Sequence, residues 1–177
     1  MSSRTMDVAR AVASSLNTTP YDWPSVVPGT GPRLLTALTT AEAYLEEQDD
    51  RDSKRIEDWT ASIYPKTDGR LFQDDVEDGC SWRWFYMYYM VVKKRLPPNT
   101  DPATNQQRTT TPEDREEAIE FAESFTYFFD ANRTPHEPVA NRAISIVRVN
   151  HPVLWNKDEL INSHVFESMI DVNVRFI

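Results

Sequence analysis

Four glycines in 177 residues, one cysteine and three histidines set the first limits on this chain. With so few glycines there is little room for a backbone loop that cradles phosphate, and no GxxxxGK[ST], GxGxxG or GxSxG pattern occurs. Nucleotide-dependent chemistry is therefore not expected, and few left-handed turns are forced on the backbone. Cys80 has no partner for an internal disulfide, and His136, His151 and His164 fall at no zinc-ligand spacing. His136 and His151 each lie beside a proline or a proline-containing turn, with no acid at helical or strand spacing, so neither is expected to be catalytic. No long apolar run occurs: the longest, Trp84 to Val92, is about half of what a spanning helix needs, and the first residues, MSSRTMDVARAV, do not read as a secretory leader. The chain is expected to be made in a cytoplasm and to stay there or pass into an assembly. Basic charge is also short. Nineteen Lys and Arg against 28 Asp and Glu give a net charge of -9, the wrong sign for a protein that neutralises phosphate along a duplex.

What the chain does have is aromatic. In CSWRWFYMYYMVVKKRL, Cys80 to Leu96, six aromatic side chains fall within Trp82 to Tyr89. Read as a strand, the segment puts Trp82, Trp84, Tyr86, Tyr88, Met90 and Val92 on one face and Arg83, Phe85, Met87, Tyr89 and Val91 on the other. A half-exposed strand carries one polar face, and this one has two apolar faces. One is expected under the chain's own helices, the other under a second layer or a neighbouring subunit. Sheet-borne aromatics stack bases in some RNA-binding proteins, but that mode needs basic surroundings, and only Lys93, Lys94 and Arg95 supply them here.

The other segments follow from periodicity. Ala9, Val12, Ala13 and Leu16 share one helical face within Asp7 to Asn17, which Pro20 ends. Prolines at 20, 24, 28 and 32 mark an arm over about 20–52, whose second half predicts a helix through Leu34, Leu38, Ala41 and Leu45. Ile56 to Tyr64 alternates as a strand closed by Pro65. Polar loops are expected at 66–79 and 97–111. Thr111, Pro112, Glu113 and Asp114 open a helix to Ala131, with Ala118, Ala122, Phe125 and Phe129 on its buried stripe. Arg142 to Asn150 reads as a strand, with Ser145, Val147 and Val149 opposite Ile144, Ile146 and Arg148. Asn156 and Glu159 start a short capped helix, and a last strand sets Phe166, Ser168, Ile170, Val172, Val174 and Phe176 against Glu167, Met169, Asp171, Asn173 and Arg175. The predicted class is α+β in one domain: a single, mostly antiparallel sheet of about four strands, with two main helices packed on one face.

Asp74, Asp75, Glu77 and Asp78 have the ligand chemistry of a divalent-ion site, but neighbouring carboxylates on a loop lack a rigid element to hold them apart, so a solvated acidic loop is preferred. A hydrolase using them remains an alternative, as does a cytoplasmic adaptor or immunity-type module whose acidic loop engages a basic partner.

In the order of its segments the chain resembles the tail terminator and tail-completion proteins of long-tailed bacteriophages. MDVARAVASSLN is similar to their opening helix, DWTASIYPKT to a first core strand ending in proline, and FYMYYMVVKKRLPPNTDP to a long strand ending in a basic pair and polar turn. EDREEAIEFAESFTYFFDAN resembles the helix that leads to the second half, and VNHPVLWNKDELINSHVFESMIDVNVRFI the ending. The likeness covers about two-thirds of the chain; the arm and the two long loops go beyond it. The resemblance implies a structural virion protein in the tail neck, without catalysis, metal or cofactor, that forms a six-membered ring between the tail tube protein and the head–tail connector. A head-completion adaptor of the same neck is the nearest alternative. On this resemblance, the strand's second apolar face is covered by a neighbouring subunit or by the long arm folding over it, with subunit contacts expected at Trp82, Trp84, Tyr86 and Tyr88, and docking contacts at Trp23, Phe72, Asp74 and Asp75. An acidic ring would also repel DNA passing through it instead of gripping it.

Overall fold

A computed structural model describes residues 4–18, 38–44, 59–70, 85–96, 99–100, 107–108, 112–135 and 138–177. The elements run α1 (Arg4–Thr18), β1 (Leu38–Ala43), β2 (Trp59–Arg70), β3 (Phe85–Arg95), β4 (Asn99–Thr100), β5 (Gln107–Arg108), α2 (Pro112–Ala131), β6 (Ile144–Val153), α3 (Lys157–Ser163) and β7 (Val165–Phe176). Five strands form one sheet in the order β1-β2-β3-β7-β6, and β4 pairs with β5 in a separate small hairpin. The class is α+β. The main sheet is mixed, because β1 runs parallel to β2 while the other three pairings are antiparallel.

Cross-strand partners share a face, so the register sorts the side chains. Ile63 lies opposite Met90, and Tyr88, Met90 and Val92 lie opposite Val172, Ile170 and Ser168. All of these belong to the covered face, where Ile63, Tyr88, Met90, Val92, Ile170 and Val172 have no exposed surface. Helices α1 and α2 supply the cover: Val8, Val12 and Leu16 from the first, and Ala118, Phe121, Ala122, Phe125, Phe128 and Phe129 from the second, join the same apolar cluster. Each fully buried Val, Leu or Phe contributes on the order of 2 kcal/mol by leaving water. Trp59 joins the layers. Its ring lies 4.1 Å from Phe121 of α2 and 5.7 Å from Phe166 of β7, with the Lys94 ammonium 5.4 Å above it.

The predicted helix over Leu34 to Leu45 is not what forms at its described end. Leu38–Ala43 is a strand, held by pairing to β2 and by the side chain of Asn17, whose Nδ2 donates to the Ala41 carbonyl and whose Oδ1 accepts from the Ala41 N–H, both at 2.9 Å. Consecutive Thr39 and Thr40 suit extended backbone, and long-range pairing outweighs a weak local helical preference. Nor does Pro65 close β2, which continues to Arg70. The last rung shared with β1 is Ala43 with Ile63, so Pro65 sits where β2 has no neighbour on that side and a missing N–H costs least; the ladder with β3 is irregular beyond it.

In β6 the expected alternation breaks. A register irregularity between Ile146 and Arg148 turns Arg148 toward Asn173 and returns Val149 to the core side opposite Val172. The helix predicted over Pro112 to Ala131 forms over those residues, as does the cap at Asn156, whose side chain accepts from the Glu159 N–H at 3.3 Å. The predicted last strand runs over Val165–Phe176. Among the described residues, no helix is long and apolar enough to cross a membrane.

Candidate functional site

The sheet's second face, buried to half-buried along its length, is where polar groups are left without partners. It is built from β3 and β7, with β2 and β6 beside them. Phe85, Met87 and Tyr89 of β3 pair with Arg175, Asn173 and Asp171 of β7, and all six are half-buried. No described helix lies over them. Along β3 the face deepens toward its far end, where Val91 is 1% and Lys93 7% exposed. Tyr64 of β2, itself 2% exposed, stacks on Tyr89 at 5.1 Å, which carries the aromatic strip across two strands.

Charge on this face is arranged in rungs. Lys66 Nζ lies 2.6 Å from Asp171 Oδ2, and Lys93 Nζ lies 3.3 Å from Glu167 Oε2. Beside these pairs the polar groups are less complete: Asp171 Oδ1, Asn173 Oδ1 and Arg175 Nε are buried atoms without a hydrogen-bond partner. Buried polar atoms are seldom left so, because each forgoes its water for nothing in return. Arg148, exposed on β6, lies opposite Asn173 and adds a second guanidinium beside Arg175. The face therefore combines apolar side chains, two arginines and orphaned polar atoms.

Two of the residues expected at a subunit contact lie on the opposite, helix-covered side. Tyr88 has no exposed surface; its hydroxyl donates to the Thr5 carbonyl of α1 at 2.7 Å, and burial, with Tyr86 nearby adding to it, pushes its phenol well above the ordinary value. A second subunit finds nothing of Tyr88 to touch. Tyr86 is half-buried, edge-on to Phe176 at 5.6 Å. The physical reason is the pairing with β7: Tyr86 and Tyr88 lie opposite Val174 and Val172, which face the helices. Trp82, Trp84, Trp23, Phe72, Asp74 and Asp75 lie outside the described residues, as do His136 and the acidic run at 74–78.

The residues that make this second face were visible as the second set of each alternating strand. Their partnership was not, since nothing in one strand's spacing says that Met87 will sit beside Asn173. Elsewhere, His151 Nε2 lies 2.7 Å from Thr126 Oγ1 and joins β6 to α2, while its Nδ1 is buried without a partner. Burial holds this imidazole below its ordinary value. A cleft of about 420 Å³ runs between α1 and the β1 edge, lined among others by Arg10, Asn17, Glu42 and Ala43. Among the described residues, no three His, Cys, Asp or Glu side chains gather as metal ligands. No protein-family model and no curated protein matches the chain.

Proposed function

We propose that this chain is a structural neck protein of a long-tailed phage, a tail terminator that caps the tail tube and joins it to the head as a ring of identical subunits, without catalysis or a cofactor. The observation that carries the proposal is the half-buried strip of Phe85, Met87 and Tyr89, backed by Arg175 and by polar atoms without partners, on a sheet face that no described helix covers. The part of these apolar side chains that stays accessible is what a second protein surface would cover. The order of segments, from the opening helix to the strand at the end of the chain, supports the same reading. In the assembled neck, the ring's partners are its own copies, the tail tube protein and the connector; Trp82 and Trp84 serve the subunit contact, and Trp23, Phe72, Asp74 and Asp75 serve docking. The ring makes no specific contact with nucleic acid and none with a membrane.

Mass in solution and electron microscopy test this together. The expected species is a ring of roughly six 20.5 kDa subunits, free or seated on tube ends. A chain that stays monomeric and also fails to cap the tail tubes of the phage that encodes it overturns the proposal.

A further inference from the structure

One end of the sheet carries two cations that the described chain leaves unmatched. Phe176 closes β7 on the helix-covered side, edge-on to Tyr86, and two guanidiniums lie over its ring: Arg142 with Cζ 5.1 Å from the centroid and Arg4 with Cζ 6.0 Å from it. The backbone fixes where both side chains start. Arg142 leaves the turn that it closes with Val139 through reciprocal hydrogen bonds of 2.9 and 3.1 Å, and Arg4 opens α1, whose Thr5 carbonyl accepts the Tyr88 hydroxyl. Both arginines are exposed in a chain of net charge -9, yet no carboxylate pairs with either among the described residues. A guanidinium held over an aromatic face keeps its N–H donors available for a carboxylate. Beside them Ile177, 63% exposed, donates its N–H to the Ala143 carbonyl at 2.9 Å, which gives the basic patch an apolar shoulder.

The same molecule carries a surface of opposite sign. Glu116, Glu120 and Glu123 of α2 are exposed at i, i+4 and i+7, one stripe about 10 Å long, and Tyr127, 46% exposed, continues it by a turn. The stripe lies on the side of α2 away from Ala118, Phe121, Ala122 and Phe125, which join the core under the helix. Carboxylates so spaced reach more than one guanidinium, and charge-assisted pairs of this kind are the strong ones. Tyr and Arg are also enriched where protein surfaces meet. We infer that the patch of Arg4, Phe176 and Arg142 on one copy receives the acidic stripe of α2 from the next, with Tyr127 toward the apolar shoulder. The two surfaces differ, so the contact is heterologous. Repeated with a constant rotation that returns to its start, such a contact closes a ring. The contact rests on the ring proposed above and supplies the surfaces that build it.

Charge exchange between copies tests this contact. The double variant Arg4→Glu, Arg142→Glu places acid against acid, and Glu116→Lys, Glu123→Lys places base against base. All four positions are exposed, and an acid at position 4 suits the first turn of α1, so both variants are expected to keep the wild-type circular dichroism. Each alone is expected to need at least about tenfold more protein to assemble, in solution or on tube ends. An equal mixture is expected to recover rings, because every contact in an alternating ring of even number then pairs opposite charges. Either variant assembling as the wild type does, or a mixture that does not recover, overturns the inference and leaves the ring itself standing. An arginine variant that forms rings but no longer caps tubes assigns the patch to the tail tube protein and overturns the inference as well. A wild-type chain that neither self-assembles nor caps tubes overturns both.

Discussion

Ala140 and Asn141 lie at φ 52° and 61° in the two-residue turn where Val139 and Arg142 exchange backbone hydrogen bonds, and His164 follows at φ 55° as the C-cap of α3. Scarcity of glycine did not spare the chain left-handed backbone; it placed that backbone on residues with a Cβ. Asn tolerates the region, whereas Ala pays a steric cost of about 1 kcal/mol there. Ala140→Gly is accordingly expected to raise the urea midpoint, adding up to about 1 kcal/mol of stability. At His151 the effect is on pH dependence. The folded protein holds the imidazole below its ordinary 6.5, so the unfolded chain binds the proton more readily. Its contribution is complete above that ordinary value and is lost as pH falls through the lower, folded one. Urea midpoints compared at pH 7.5 and pH 5 are expected to fall less in His151→Gln than in the wild type; equal falls would show that the buried Nδ1 carries no penalty.

At the scale of elements, Glu167 ties three together. Its carboxylate pairs with Lys93 of β3 and accepts from Asn156 Nδ2 at 3.4 Å, and its carbonyl accepts the Asn156 N–H at 2.9 Å, so the cap of α3 and the β3–β7 ladder meet on one residue. The two charges are not equivalent, since the Lys93 side chain is 9% and that of Glu167 20% exposed. Removing the acid leaves the deeper charge without this partner, whereas removing the base leaves one that water reaches more readily. Chemical denaturation is therefore expected to show Glu167→Ala losing about 2 kcal/mol or more, and Lys93→Met clearly less. Elements with dense local signals were readable beforehand. The α2 stripe of Ala118, Ala122, Phe125 and Phe129, the Asn156 cap and the alternation of β7 all formed as their spacing required, because side-chain period and capping are properties of a single segment. Strand β1 was misread for the converse reason: Leu38 and Ala41 keep a helical interval, and only β2 beside them, with the Asn17 amide, made extended backbone the better choice.

For the whole molecule, a net charge of -9 predicts that the chain will not retard duplex DNA in gel-shift assays at about 0.15 M salt, where weak contacts with phosphate are already screened. Tight retention would end the idea of a ring that lets DNA slide through. Composition and periodicity by themselves determined the α+β class, the acidic character and the doubly apolar character of the aromatic strand. Tertiary structure alone decided which apolar face the helices take, and it assigned Tyr88 to the helix-covered side and Met87 to the other. A strand's period of two divides its side chains into two sets without saying which set turns inward. That choice is made by the neighbouring strands and the helices above them, whose burial of one set against Val172, Ile170 and Phe125 leaves the other set on the opposite face of the sheet.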